Sequence, residues 1–409
     1  MQITKNEFTE VIISLYLIII MASSSTGTLA VQGVRLITVA VLLLFILSKK
    51  KGKVKIDKYT KLTIAFLIYN VIMCAFAFSR QYAVTYTATL GYVIVIDVLA
   101  DQYLTDKRDS IKALMLTEII GSIVKALLDF GRLGIGYYLM HRSSAVGSAN
   151  TIGFYSAVAV VFSWWQFKES KTNSRYWFVL TGMLSTAFVL LSASRKALLY
   201  IALPMGVYLL LKSKNLLVIL RNLAIVIIVA CLGYLAIMNV GFLYNSIGHR
   251  IEAMLIGLSG GNGDGSTETR LYLIDFGLRY FKRKPLWGYG MSNFKALMSV
   301  YAPYRTTLYA HNNYIELLVD CGLVGTVVYY LLYVEIVKNI IARLKKRNML
   351  DIIFLGLLMS FIIAEFGLVT YNDPVQQFIL LLMYIHSLPG REEKYIYEKN
   401  NVQGEIPAC

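Results

Sequence analysis

The sequence predicts an all-helical membrane protein with about twelve spans, since a span takes ~20 apolar residues and apolar runs recur from end to end. Of the 409 residues, 57% are hydrophobic and 16% charged, and the mean hydropathy is +0.60. Soluble domains are about 25% charged. Six prolines and four cysteines also exclude a collagen or a disulfide scaffold. The spans should be helices because unpaired backbone groups are too costly in lipid.

Each predicted span is a run of apolar residues bounded by polar or charged ones. The span at 111–129 is the least regular because it contains Glu118 and Lys125. The first run, after Lys5, loosely resembles a signal peptide, and we interpret it as a retained helix because eleven more runs follow. The predicted spans are 8–22, 28–48, 62–79, 83–100, 111–129, 151–167, 176–193, 197–211, 222–240, 313–337, 350–370 and 375–388.

The positive charges predict the orientation of the chain. Lysines and arginines concentrate in the connections between alternate spans, at 49–61, 107–112, 168–175, 212–221 and 338–347. Short loops rich in these residues stay in the cytoplasm. We therefore expect both termini to be cytoplasmic. Most of the net charge of +16 is then a topology signal, and it gives no reason to expect a nucleic acid partner.

This orientation divides the chain into four parts. Residues 1–240 hold the first nine spans, 241–312 form one long extracytoplasmic loop, 313–388 hold the last three spans, and 389–409 form a cytoplasmic tail. Long loops without regular structure are uncommon unless they are functional. The loop is therefore the first place to look for chemistry.

The loop changes character along its length. A short amphipathic stretch with His249 and Arg250 precedes a glycine-rich stretch at 257–265. A helix is predicted from Thr267 to about Lys284, capped by Ser266 or Thr267, with Leu271, Ile274 and Leu278 at helical spacing; Pro285 ends it. The cluster 282–284 is either a solvated face beside anionic lipid or part of a site for an anionic ligand.

Two arginines lie where a cation is unexpected. Arg195 lies in a very short connection between two apolar spans, so its guanidinium either reaches the lipid headgroups or meets a phosphate. Arg270 is predicted in the first turn of the loop helix, where the helix dipole disfavours a cation. Either Glu268 or a bound anion would hold it there.

His311 is the candidate catalytic base. It begins the string HNNYIELLVDCGLVG (311–325) at the outer mouth of the tenth span. A helix N-terminus opposes the charged form of histidine, and a neutral imidazole at pH 7 can accept a proton. A lone histidine is more often structural, but the polar residues that follow it favour function.

Three strings resemble the O-antigen ligase and Wzy-type polymerase family. They are HNNYIELLVDCGLVG at 311–325, SASRKALLY at 192–200 and STETRLYLIDFGLRYFKRKPLWGYGMSNF at 266–294. They occur in the family's order and on the expected side of the membrane. The resemblance covers motifs over about 150–330 and the rest of the chain by topology alone. Lys196 departs from the family pattern, which often has a small residue there.

The resemblance implies a bacterial inner-membrane glycosyltransferase of GT-C-like fold. It implies that Arg195 and Arg270 bind the diphosphate of an undecaprenyl diphosphate-linked glycan donor and that His311 activates a hydroxyl of a glycan or lipid-linked acceptor. It implies neither a metal nor a cofactor. Membrane lipid and other polysaccharide-assembly proteins are further candidate partners. Candidate supporting residues are Arg250, Arg279, Asn312, Asn313 and Glu316.

Three functions are open at this stage. The leading hypothesis is a polymerase that builds capsule, exopolysaccharide or O-antigen from lipid-linked repeat units. The second is a ligase of the same family, which moves finished glycan to lipid A-core or another acceptor. The third is a flippase or transporter, which the single large outer loop and the scarcity of charge inside the spans disfavour, since transporters often have broken helices in both halves.

Overall fold

The computed structural model describes residues 5–23, 29–48, 56–104, 108–136, 149–258, 265–303 and 307–388. The predicted tail at 389–409, most of the basic segment 49–61 and most of the glycine-rich stretch lie outside the described residues. The helices are α1 Lys5–Ala22, α2 Leu29–Ser48, α3 Lys58–Met73, α4 Arg80–Tyr103, α5 Arg108–Leu133, α6 Ala149–Glu169, α7 Arg175–Ser192, α8 Arg195–Leu211, α9 Leu216–Asn239, α10 His249–Leu258, α11 Gly265–Phe281, α12 Asn293–Tyr301, α13 Asn313–Arg343, α14 Met349–Ala364 and α15 Pro374–Ser387.

The described residues form helices and no strands, which confirms the predicted all-helical class. A helix covers most of each predicted span. Four described segments are long and apolar enough by themselves to cross a membrane: Arg80–Gln102, Arg175–Ser192, Leu216–Asn239 and Asn313–Lys346. The number of crossings, about twelve at ~20 residues each, stays a prediction.

The helices pack into one bundle around a shared apolar core. α6 contacts α5, α7 and α8, and α8 also packs along α14. On another side of the bundle α3 contacts α4 and α13, and α13 also contacts α15. α9 contributes little to this core, because Asn222 is the only buried residue in its described range Leu216–Asn239. The outward apolar surface of α9 is what a helix in contact with lipid would present.

α13 is broken at Gly322, whose φ of 61° and ψ of −169° are not helical. The segment 285–290 lies in the break. The N–H groups of Leu323 and Val324 donate to the carbonyls of Pro285 and Leu286 at 2.8 and 3.2 Å, and the N–H groups of Tyr289 and Gly290 donate to the carbonyls of Val319 and Asp320 at 2.9 and 2.8 Å. These four hydrogen bonds pair backbone groups that the break removes from the helix, as a low-dielectric environment requires.

The long loop has an apolar core of its own. Leu273, Phe276 and Tyr280 of α11 pack with Phe294 and Leu297 of α12, and the cluster extends to α13 through Ile315 and Val319. This core fixes α11 across the first half of α13. The loop is consequently a packed part of the protein over the residues that the structure describes.

Two details of the predicted loop helix are wrong. The helix begins at Gly265 and ends at Phe281, so Ser266 and Thr267 lie inside it and do not cap it. Its buried face contains Leu273, Phe276 and Tyr280, whereas Leu271 and Leu278 are exposed. Both sets of apolar residues have helical spacing, and only the position of α13 decides which set is buried.

Candidate functional site

The connection between α7 and α8 places two cations at the start of a helix. Ala193 adopts a left-handed conformation with φ 47°, and Ser194 is the N-cap of α8. The Ser194 hydroxyl donates to Oδ1 of Asn150 on α6 at 3.2 Å, which fixes the connection to the bundle. Arg195 and Lys196 therefore occupy the first turn of α8, where unpaired N–H groups and the helix dipole already favour an anion.

Lys196 links this turn to the segment after α14. Its Nζ donates to the carbonyl oxygen of Gly367. Its side chain lies close enough to Gly367 that a Cβ added there would be 2.8 Å from Lys196 Cε. The ammonium group is therefore held in one place, although a long lysine side chain is usually free to move.

The segment after α14 is in turn fixed to the start of α13. The Asn313 N–H donates to the carbonyl of Glu365 at 2.8 Å, and Oδ1 of Asn313 accepts from the N–H groups of Thr370 and Tyr371 at 2.9 and 3.2 Å. The beginnings of α8 and α13 and the end of α14 thus meet at one end of the bundle.

His311 has an unusual backbone conformation for a residue with a side chain. Its φ is 51°, in the left-handed region that few non-glycine residues adopt. Asn312 follows as the N-cap of α13, with Oδ1 accepting from the Ile315 N–H at 3.1 Å. The imidazole packs against the ring of Tyr309, with ring centroids 3.9 Å apart. These constraints orient a half-buried imidazole at the mouth of the helix.

Arg270 lies in the second turn of α11, not in the first turn as predicted, because α11 begins at Gly265. Glu268 does not hold it, since residues two apart point to different sides of a helix. No described acidic residue forms an ion pair with Arg270. It is half-buried. Its guanidinium is therefore available to an anionic ligand.

Electrostatic interactions show that these groups are near one another. Burial, followed by the positive charges of Arg270 and Lys196, lowers the pKa of His311 to about 4. Burial, followed by Arg270 and Arg195, lowers the pKa of Lys196, which precedes the apolar run 197–211, to about 7. The sequence predicts correctly that the pKa of His311 is lowered, but it attributes this to the helix N-terminus. The causes are burial and two cations, and His311 lies two positions before the helix begins.

The predicted supporting residues separate into two groups. Asn312 and Asn313 make the backbone contacts given above, and Oε2 of Glu316 accepts from the Ala310 N–H at 2.5 Å, so all three hold the approach to α13. Arg279 is paired with Asp275 at 3.1 Å and is exposed. Nine residues along α11 place it on the side opposite Arg270, about 13 Å further on. The side chain of Arg250 lies outside the described residues.

Sequence reasoning missed the parts of the site that come from other segments. The motifs indicate Lys196 only as a departure from the family pattern, and none of them includes the segment 365–371. Tyr309, whose ring packs against His311, also lies outside the three motifs. The available signal for Lys196 was its position beside Arg195 at the start of an apolar run.

The arrangement suits an anion next to a proton acceptor. Lys196 interacts electrostatically with both Arg195 and Arg270 beside two helix N-termini, and guanidinium groups bind phosphate oxygens in pairs. The imidazole of His311 is neutral at pH 7 and can accept a proton from a hydroxyl group held nearby. Within the described residues no group of three or more His, Cys, Asp or Glu is placed to hold a metal ion.

Comparison with known proteins agrees with the motifs. A search among curated proteins finds no match. The family model described as Wzy_C, O-antigen ligase, matches residues 180–330, a range that includes α7 and α8, the long loop and the first half of α13. Arg195, Arg270 and His311 all lie in this range. The family is membrane-associated, and its members are glycosyltransferase-like ligases and polymerases of lipid-linked glycans. Residues 180–330 of the chain are thus similar to the O-antigen ligase family.

Proposed function

We propose that this protein polymerises undecaprenyl diphosphate-linked oligosaccharide repeat units into surface polysaccharide. The reaction takes place at the outer face of the bacterial cytoplasmic membrane, with both termini in the cytoplasm. The observation that supports the proposal is that Lys196 interacts electrostatically with Arg270 and Arg195, and His311 with Arg270 and Lys196, although these residues come from three separate segments.

The donor sugar is activated by its own diphosphate. An acceptor hydroxyl oxygen attacks C1, the bond from C1 to the phosphate oxygen breaks, and the lipid diphosphate leaves with the electron pair. Arg195 and Arg270 stabilise the negative charge that develops on the leaving oxygen. A direct displacement of this kind inverts the configuration at C1.

His311 takes the proton of the attacking hydroxyl. In the free protein burial, together with two neighbouring cations, lowers the pKa of the imidazole and keeps it neutral. A bound diphosphate compensates those positive charges, so the imidazolium becomes easier to form when the donor is in place. The base is therefore neutral before the donor binds and a stronger acceptor afterwards.

Substitutions in the site test this function. His311→Ala and Arg270→Ala should each lower polymer formation at least about 100-fold, because positioned bases and charge-stabilising donors each contribute that much or more. Arg279→Ala, on the opposite side of the same helix, is the matched control and should retain activity. Wild-type polymer from the first two variants, with normal insertion of the protein, would refute the assignment.

The second candidate is a ligase, which the description of the matching family model favours. The ligase uses the same donor chemistry and differs only in its acceptor. Purified protein given a lipid-linked repeat unit alone separates the two, because a polymerase produces a ladder of products and a ligase produces none until a second acceptor is added. Since guanidinium groups take the place of a metal in this proposal, EDTA should leave either activity intact.

A further inference from the structure

An apolar groove of about 620 Å³ opens beside the end of α3. It is lined by Ile72, Met73 and Phe76 on one side and by Pro285, Leu286 and Trp287 on the other. Ile72, Phe76, Leu286 and Trp287 are each more than half exposed. A surface of this kind loses little by contact with a hydrocarbon chain and is unfavourable in water.

The rim of the groove is basic. Lys284 lines it, and Lys282 and Arg283 precede Lys284 in an exposed run. Lys284 Nζ lies 4.9 Å from the centroid of the Tyr289 ring, and Arg283 Cζ lies 4.9 Å from that of Tyr280. No described carboxylate pairs with these three cations. An apolar trough with unneutralised cations at its rim matches an amphiphile that has an anionic headgroup.

A second surface cavity lacks this charge. The cavity between α6 and α7 has a volume of about 490 Å³. Its lining residues, which come from both helices, include no ionisable side chain. That cavity needs only the hydrocarbon of ordinary lipid. The groove at α3 differs from that cavity because a cation, Lys284, is among its lining residues.

The groove is joined directly to the helix that begins at the site. Segment 285–290, which forms one wall, fills the break in α13 through the backbone hydrogen bonds given above. The Tyr69 hydroxyl of α3 joins the two walls by donating to the carbonyls of Trp287 and Cys321, at 2.8 and 2.6 Å. Nine residues of α13 separate Asn313 from Gly322, which is about 13 Å along the axis. The distance from the groove to His311 is therefore one that a few sugar units can span.

We propose that the groove seats the isoprenoid chain of the acceptor, with the acceptor's diphosphate at Lys284. The inference rests on the proposed polymerase function, because the polymerase, unlike a ligase acting on lipid A-core, uses two substrates that both carry an isoprenoid diphosphate. The acceptor keeps its own C1 attached to its diphosphate and reacts through a hydroxyl elsewhere on its glycan. Its lipid must therefore bind apart from the donor diphosphate, at a distance that the oligosaccharide can span.

The test measures KM for the acceptor at a fixed concentration of polymer-linked donor, using the full chain in detergent. Two acceptors carry the same repeat unit, one on undecaprenyl diphosphate and one on a short isoprenyl diphosphate. Ile72→Trp fills the groove, and Ile68→Trp, one turn away on the same exposed face of α3, is the control. Lys284→Glu is paired with Lys171→Glu, a charge reversal in the exposed connection between α6 and α7 that does not line the groove.

We expect Ile72→Trp to raise KM for the long-chain acceptor about tenfold, which corresponds to ~1.4 kcal/mol, and to leave KM for the short-chain acceptor unchanged. Lys284→Glu should raise KM for both acceptors, since both carry the diphosphate. The Ile68→Trp and Lys171→Glu variants should resemble the wild type, and kcat should be unchanged in all four variants.

Three results would overturn the inference while the polymerase function stands: equal KM values for Ile72→Trp and Ile68→Trp, equal effects of Ile72→Trp on both acceptors, or competition by phosphatidylglycerol as strong as that by undecaprenyl diphosphate. If the wild-type protein forms no ladder from the lipid-linked unit alone, the polymerase function itself fails. The two failures are therefore distinguishable.

Discussion

Lys196 shows how neighbouring groups determine what a single side chain can do. An isolated lysine is charged at pH 7, but burial together with Arg270 and Arg195 lowers the pKa of Lys196 to about 7. The same ammonium group is one cause of the lowered pKa of His311. Near neutral pH, the charge around the proposed base therefore depends on how much of Lys196 is protonated.

Lys196→Met should move the acid limb of the pH profile upward. The wild-type imidazole stays neutral down to about pH 4, so kcat/KM should fall only below that value. Removing a nearby positive charge makes the imidazolium less unfavourable and raises the pKa of His311 towards its ordinary value of about 6.5. The variant should therefore lose activity at a higher pH than the wild type.

The measurement is kcat/KM from about pH 3 to pH 8, a range that includes the acid limb expected for the wild type. Lys171→Met, in the exposed connection between α6 and α7, serves as the control because it lies at the opposite end of α7 from Arg195 and Lys196. An acid limb at the same pH in all three proteins would show that Lys196 does not act on the base.

At the scale of elements, the break in α13 depends on a glycine. Gly322 has a positive φ, and a Cβ on it would collide with the backbone of Leu286 and Trp287. Gly288, on the facing segment, also has a positive φ, and its added Cβ would lie 2.5 Å from the Asp320 carbonyl oxygen. The break and the segment that fills it are therefore a matched pair.

Gly322→Ala should destabilise the protein by roughly 2–4 kcal/mol, combining left-handed strain with overpacking. Gly233→Ala in α9 is the control, because no atom lies within 4 Å of its added Cβ. Thermal unfolding in detergent should show a clearly lower Tm for the first variant and an unchanged or slightly higher Tm for the second. Equal Tm values would contradict the role of Gly322.

The segment after α14 depends on a buried carboxylate. Glu365 accepts from Tyr330 and Tyr333 on α13 at 2.8 and 2.7 Å, from Thr370 at 2.9 Å and from Gln376 at 3.0 Å. These bonds fix the segment whose Gly367 carbonyl holds Lys196. Glu365 is therefore a positioning residue for the site.

Glu365→Ala should lower both Tm and activity, since it leaves several buried donors without an acceptor at about 1–3 kcal/mol each. Glu365→Gln keeps one acceptor oxygen and should retain a large part of both. Glu268→Ala, on the exposed side of α11, is the control. If Ala and Gln at position 365 behaved alike, the hydrogen bonds would not be the cause.

At the scale of the whole molecule, the basic connections predict which side faces the cytoplasm. In a cysteine-free background, Lys282→Cys should react with an impermeant maleimide on intact cells that lack an outer barrier. Lys346→Cys should react only after the membrane is opened. The reverse pattern would invert the proposed orientation and place the cations of the site on the cytoplasmic side.

The positions of the helices were predictable because each depends on local composition. Apolar runs of nearly two dozen residues cannot be stable in water or lipid except as packed or inserted helices. The choice of Arg195, Arg270 and His311 was possible for a similar reason, as each is a polar residue at an unexpected place in an apolar context. Their neighbours were less predictable. Lys196 meets Gly367 across 171 positions of the chain, a contact that no local pattern contains.

The sequence by itself determined the class of the protein, the positions of its long helices with ends displaced by up to six residues, and the choice of the three residues that carry the proposed chemistry. The tertiary structure decided which face of α11 is buried, how the break in α13 is filled and which charges surround His311. These outcomes depend on contacts between segments far apart in the chain. Such contacts arise from packing and from the pairing of buried polar groups, and neither has a local signature in the sequence.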